Sequence, residues 1–212
     1  GDQHGRRRFE AIQISGTDLE VVTGHPALGA FNPDTVFARL GQRLIHMLSA
    51  RTASGLLYEV DMRLRPSGNS GMLVTSLEAF DEYQRNMAWT WEHQALLRAR
   101  PIAGDPRVAE RFQAIRHRVL SQQRDPEKLL QEVVEMREKM RTSLDKSSQE
   151  LFDLKQGAGG IADIEFMVQY AVLRWAHSHP DLLDWTDNIR LLEGLARHRL
   201  FAPAQADALA DA

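Results

Sequence analysis

Residues 58–68 read Tyr58-Glu59-Val60-Asp61-Met62-Arg63-Leu64-Arg65-Pro66-Ser67-Gly68. Tyr58, Val60, Met62 and Leu64 alternate with Glu59, Asp61, Arg63 and Arg65. Period two is the signature of a strand with one apolar and one charged face. Pro66 to Gly71 is a turn cluster, and Met72-Leu73-Val74-Thr75 can return as a second strand, so the simplest expectation is a hairpin. The four charged side chains share one face over roughly 20 Å, at about 3.3 Å per residue.

On either side of this stretch the chain reads as helix. Asn32-Pro33-Asp34 opens a helix carrying Val36, Phe37, Leu40, Leu44, Met47 and Leu48, which Ser54-Gly55 ends. Residues 1–33 hold scattered glycines and little pattern. Beyond the strands, Ser76 caps a helix through Phe80 and Tyr83, and a second helix carries Trp89, Trp91, Leu96 and Leu97. Arg98 to Gly104 reads as an extended link. Asp105-Pro106 and Asp125-Pro126 then open two helices with the same grammar, an aspartate cap followed by proline in the first turn. The first is expected to bury Val108, Phe112, Ile115 and Val119; the second, Leu129, Val133, Met136, Met140 and Leu144. Lys155-Gln156-Gly157-Ala158-Gly159-Gly160 is a glycine-rich loop before Ile161 to His177, a helix apolar around most of its circumference. Pro180 breaks it, and Thr186 or Asp187 caps another helix through Leu191, Leu192 and Leu195. The fold class expected is α+β, with sheet before about residue 104 and helices alone after it.

The chain has 212 residues, 43% apolar and 26% charged, enough apolar side chain to offset the entropy of ordering. It lacks cysteine, which excludes disulfide scaffolds, cysteine zinc sites and thiol catalysis. A net charge of −3 argues against a broad nucleic-acid surface, while leaving room for a local basic pocket around a phosphate ligand. No apolar run approaches the ~18 residues of a membrane span, and Arg6-Arg7-Arg8 is not followed by the apolar core of a signal peptide. A cytoplasmic location is expected, without membrane or nucleic acid as partner. Gly1 and the open helix-forming run at Pro203–Ala212 suggest a fragment of a longer protein.

The charged strand face is the foremost chemical feature. Asp61 could ligate a hard divalent cation, and Arg63 and Arg65 could hold phosphate oxygens. The alternative is a solvated face whose charges cancel. Lys155 and the glycines after it could cradle an anion at a helix start, or merely connect two helices; the loop matches neither Gly-x-x-x-x-Gly-Lys nor Gly-x-Gly-x-x-Gly. Asp163 and Glu165 lie about 200° apart around a helix, so they do not form a metal pair. One could face a cleft and the other bond a neighbour, and an acid in the first turn also complements the helix dipole. Eight histidines carry no zinc spacing. Trp89 and Trp91 point to different faces, so no aromatic platform for nucleic acid forms.

Taken together, Tyr58 to Gly68, Gly71-Met72-Leu73-Val74 and Ala88-Trp89-Thr90-Trp91-Glu92-His93-Gln94-Ala95-Leu96 resemble glutamine synthetase adenylyltransferase. So do Met136-Arg137-Glu138-Lys139-Met140-Arg141, Phe152-Asp153-Leu154-Lys155, Gly159-Gly160-Ile161-Ala162-Asp163-Ile164-Glu165-Phe166 and Trp185-Thr186-Asp187-Asn188-Ile189-Arg190. The resemblance runs from about Phe37 to beyond Phe201, and the Trp89–Gln94 and Thr186–Arg190 stretches look more like the half that adds AMP than the half that removes it. It implies an incomplete nucleotidyltransferase palm, a mixed sheet with helices, over 1–104 (1–33 unclear), and an all-α bundle over 105–212, truncated at its C-terminus. It implies ATP as substrate, Mg²⁺ as cofactor with Asp61 as a catalytic metal ligand, Arg63, Arg65 and Lys155 on the nucleotide, glutamine synthetase as protein substrate and the PII signalling protein as regulator. A helical docking module is the reading of a different class. The family's Gly-Ser-x-x-Asp-x-Asp strand has only a faint echo here, Gly16-Thr17-Asp18-Leu19-Glu20-Val21. The expectation is that this strand lies upstream and that the chain is catalytically incomplete.

Overall fold

The computed structural model describes residues 8–9, 14–16, 33–53, 55–56, 59–62 and 71–212. In chain order the elements are β1 (Arg8–Phe9), β2 (Ile14–Gly16), α1 (Pro33–Ser49), β3 (Arg51–Thr52), β4 (Gly55–Leu56), β5 (Glu59–Val60) and β6 (Val74–Ser76). They continue as α2 (Leu77–Asn86), α3 (Thr90–Leu97), α4 (Pro106–Leu120), α5 (Pro126–Leu144), α6 (Ile161–Trp175), a 3₁₀ turn (Pro180–Leu183), α7 (Asn188–Arg197) and α8 (Pro203–Ala210). Helix dominates, and among the described residues no strand occurs after β6. No helix among them is long and apolar enough to cross a membrane.

The expected hairpin between the strand at 58–65 and its return at 72–75 is not what the described residues form. β5 pairs in parallel with β1, Arg8 opposite Glu59 and Phe9 opposite Val60. β6 pairs in parallel with β2, Ile14 opposite Val74 through Gly16 opposite Ser76. Among the described residues only β3 and β4 are antiparallel. The physical reason is the crossover: parallel neighbours need a long connection, and α1 supplies it, packing against both β5 and β6. In place of one mixed sheet the described residues form three two-stranded ladders.

The chain divides into two compact units, Gly1–Met87 with Ala103–Phe112, and Ala88–Ile102 with Gln113–Ala212. In the first unit Val74, Leu77 and Phe80 are buried, and the Phe80 ring stacks on Phe112 with centroids 5.7 Å apart. Ser76 caps α2 by accepting from the Ala79 amide. The two Asp-Pro openings differ in detail. Asp125 accepts from the Lys128 amide, three residues on. Asp105 accepts from the Arg107 guanidinium and amide, which lower its exposed carboxyl to about 2.

In the second unit the core is built from Leu97, Val119, Leu120, Val168, Val172, Leu173, Leu191 and Leu195, all fully buried. Each such side chain stabilises the fold by about 1.5–3 kcal/mol relative to exposure. Val133 and Leu129 are buried as expected, but Leu144 is 47% exposed, because it falls in the last turn of α5 where the helix leaves the core. Buried Arg116 is the polar centre of this unit. Its guanidinium donates to the carbonyls of Leu96, Leu97 and Leu183 at 3.1, 2.6 and 2.7 Å. Leu96 and Leu97 end α3, where carbonyls lack helical partners. Burial lowers Arg116 to about 10, opposed by the charge of Asp184, so it keeps its proton at neutral pH.

Candidate functional site

Asp61 follows β5 directly and its side chain is half-buried, as are those of Val60 and Met62. Arg63 and Arg65 lie outside the described residues. A carboxylate is the donor that a hard divalent cation prefers. Among the described residues, however, no group of three or more histidine, aspartate or glutamate side chains could hold a metal ion. Asp61 alone does not make a magnesium site. An open depression of about 440 Å³ in the first unit is lined by Arg39, Gln42, Arg43, His46 and Met47 of α1, without Asp61 among its described lining.

The second unit holds a denser polar assembly that the sequence pattern does not announce. Arg137, on the buried face of α5, donates from Nε to Asp163 Oδ1 at 2.6 Å and from Nη2 to the Gln156 carbonyl at 2.8 Å. Its plane approaches the Phe166 ring, with 5.9 Å from Cζ to the ring centre. Arg141, one turn on, reaches the same carboxylate at 3.3 Å. The Gly159 amide donates to Asp163 Oδ2 at 2.7 Å. Burial pushes the Asp163 carboxyl up, but the Gly159 amide, the Arg137 bond and the two guanidinium charges outweigh it and hold it below the usual carboxylate value. The signal that could have found Arg137 is positional: it stands four residues after Val133, on the stripe that faces the core.

These contacts fix the glycine-rich loop. Asp153 accepts from the amides of Lys155 and Gln156 at 3.0 and 2.9 Å. Gly159 has φ +82°, in the left-handed region that favours glycine. At Gly160 a Cβ would stand 2.6 Å from the Leu154 carbonyl oxygen. Loop amides that could have met an anion thus engage Asp153 and Asp163. The Lys155 side chain is exposed in the second unit, while Asp61 belongs to the first. Asp163 and Glu165 point opposite ways, as their spacing required. Asp163 faces α5, and Glu165 takes Arg98, just beyond α3, at 2.5 Å. Trp89 is 71% exposed and Trp91 half-buried.

Comparison with known proteins adds the chemical context. Residues 16–115 match the family model described as glutamate-ammonia ligase adenylyltransferase. Residues 112–212 match the model described as GlnD PII-uridylyltransferase. A bifunctional glutamine synthetase adenylyltransferase/adenylyl-removing enzyme of Nitrosococcus oceani is 56% identical over 206 residues, covering 93% of this chain and 21% of that protein. Proteins of the same name from Hahella chejuensis and Pseudomonas putida are 50% and 52% identical, covering 98% and 90% of this chain and 23% and 22% of theirs. The chain belongs to the glutamine synthetase adenylyltransferase/adenylyl-removing family. It spans about a fifth of the length of these curated relatives.

Proposed function

We propose that the chain is a nucleotidyltransferase segment of a longer enzyme, which moves AMP from ATP to a tyrosine hydroxyl of glutamine synthetase and so regulates nitrogen assimilation. The observation that carries this reading is the 56% identity over 206 residues to a protein with adenylyltransferase in its name. That name also covers adenylyl removal; the Trp89–Gln94 and Thr186–Arg190 stretches support addition. In this reading residues 1–104 belong to a nucleotidyltransferase palm and 105–212 to a helical domain. Asp61 supplies one carboxylate toward a magnesium site completed by other residues of the enzyme. Arg63, Arg65 and Lys155 hold phosphate oxygens of ATP, the guanidinium groups in paired hydrogen bonds and the ammonium as a point charge. The tyrosine hydroxyl gives its proton to solvent as its oxygen bonds to the α-phosphorus, and the bond from the α-phosphorus to the bridging oxygen breaks, its electron pair leaving with pyrophosphate. The PII signalling protein is the proposed regulator and the cytoplasm the proposed location.

The test is incubation of the full-length enzyme with ATP, Mg²⁺ and glutamine synthetase, followed by peptide mass spectrometry. AMP on a glutamine synthetase tyrosine is the expected result. Phosphate-dependent loss of AMP from modified glutamine synthetase, without addition, would favour the removing half. Binding without either change would favour a docking module. The 212-residue chain alone is expected to transfer little or no AMP.

A further inference from the structure

One boundary between the compact units falls where the two family models meet, although the second unit also takes Ala88–Ile102 from within the adenylyltransferase match. The adenylyltransferase model ends at residue 115 and the uridylyltransferase model begins at 112. The first compact unit ends at Phe112, and the second resumes at Gln113. The helical residues beyond that seam therefore fit a family named for uridylyl transfer, in a chain whose relatives are named for adenylyl transfer.

The two named reactions share transfer of a nucleotidyl group and differ in the base. Adenine offers an amino donor where uracil offers a carbonyl acceptor. A site built to pair with one leaves buried polar groups unpaired against the other, which is worth a large discrimination factor. A segment that fits both names, as residues 112–212 do, is a poor place for such a site.

Much of the side-chain bonding agrees. Most buried polar side chains of the second unit bond within it, although Gln94 Oε1, Arg124 Nε, Arg141 Nε and Asn188 Oδ1 have no partner among the described residues. Gln94 Nε2 donates to Gln169 Oε1 at 3.0 Å, and both residues are buried. Gln156 meets Arg137 through its carbonyl and side chain. Arg116 is taken by three carbonyls, and Arg124 contacts His93 and donates to the Val119 carbonyl. One exposed stack in the unit could still receive a base: Arg190 over Trp185, 4.1 Å from the ring centre, with Trp185 43% exposed.

We propose that residues 113–212 are indifferent to the nucleobase, and that the choice of adenine over uracil is made by residues outside them. The proposal rests on the AMP-transfer reading above. Its test is a chimera of the full-length enzyme in which residues 113–212 are replaced by the matching segment of a PII-uridylyltransferase. The kcat/KM ratio for ATP over UTP, with glutamine synthetase as acceptor, is expected to stay within about threefold of the parent. A larger shift toward UTP, or UMP transfer where the parent shows none, would overturn the proposal. A parent that transfers no AMP would count against the functional reading instead. Should the chimera not fold, Trp185→Ala and Arg190→Ala in the full-length enzyme decide the matter. Each is expected to change ATP and UTP turnover by the same factor, and a selective loss with ATP would overturn the proposal.

Discussion

Arg137 and Asp163 meet at 2.6 Å between α5 and the first turn of α6, with the arginine side chain only 7% exposed. This bond ties the helix that carries Met136–Arg141 to α6, and the bond from Arg137 Nη2 to the Gln156 carbonyl ties it to the loop that carries Lys155–Gly160. The Gly159 amide and Arg141 complete the carboxylate's surroundings, so Asp163 is a keystone for the loop as well as a partner for a buried charge. Removing one member of such a pair strands the other, which costs more than the intact pair contributes.

That geometry sets a pH dependence. The folded carboxyl of Asp163 lies below its ordinary value of 3.8. A lowered carboxyl binds fewer protons folded than unfolded near that pH, so its stabilising contribution is complete above the ordinary value. The contribution fades as pH falls through the lowered folded value. Asp163→Asn is expected to be destabilised at pH 7 and to lose less further stability than the parent between pH 5 and about 2.5. Urea denaturation of both proteins across that range checks it; parallel acid limbs would contradict it.

Gly160 is required by close approach. A methyl group there meets the Leu154 carbonyl oxygen at 2.6 Å and the Gly157 carbonyl oxygen at 3.0 Å, and both obstacles are backbone. Gly160→Ala is expected to destabilise by about 1–3 kcal/mol, the range for overpacked sites. Ala158→Gly, at an exposed loop position, serves as the control and is expected to change stability by less than about 1 kcal/mol. Equal melting temperatures for Gly160→Ala and the parent would contradict the packing account.

Gln94 and Gln169 form a buried amide pair in which Gln94 Oε1 has no partner among the described residues. Replacing one glutamine by methionine strands its partner's amide and is expected to cost about 1–3 kcal/mol. Replacing both with methionine removes the polar burial altogether and is expected to be near neutral. A double-mutant cycle measures the difference; strictly additive losses would contradict it.

The helices were legible because their signals are local. Ser76, Asp125 and Asp187 cap as their positions announced, each accepting an amide three residues on. Strand partners were not legible. Period two says that residues 58–65 have two faces, but not that Glu59 lies opposite Arg8 across the length of α1. A hairpin is the simplest connection between the two segments, and nothing local in them signals the longer one. Leu144 kept the apolar spacing of α5 one turn beyond the core that uses it. Arg137 was hidden for the opposite reason: a charged residue on an apolar stripe is informative only once its acceptors, Asp163 and Gln156, are known from another part of the chain. Asp61 stood out in sequence because its neighbours alternate so cleanly. The described residues place it half-buried after β5, while Arg63 and Arg65 lie outside them.

The central claim is that Asp61 serves the transfer of AMP. Its most direct test is the rate of AMP incorporation into glutamine synthetase by the full-length enzyme carrying Asp61→Asn, with melting temperature measured on the same samples. The amide keeps the size of the carboxylate but is a poor ligand for magnesium. The account predicts a fall of at least about a hundredfold in rate with the melting temperature essentially unchanged, in line with electrostatic contributions of several kcal/mol. A folded variant that transfers AMP at the parental rate would contradict it, and would make Asp61 a charge that only balances its surroundings.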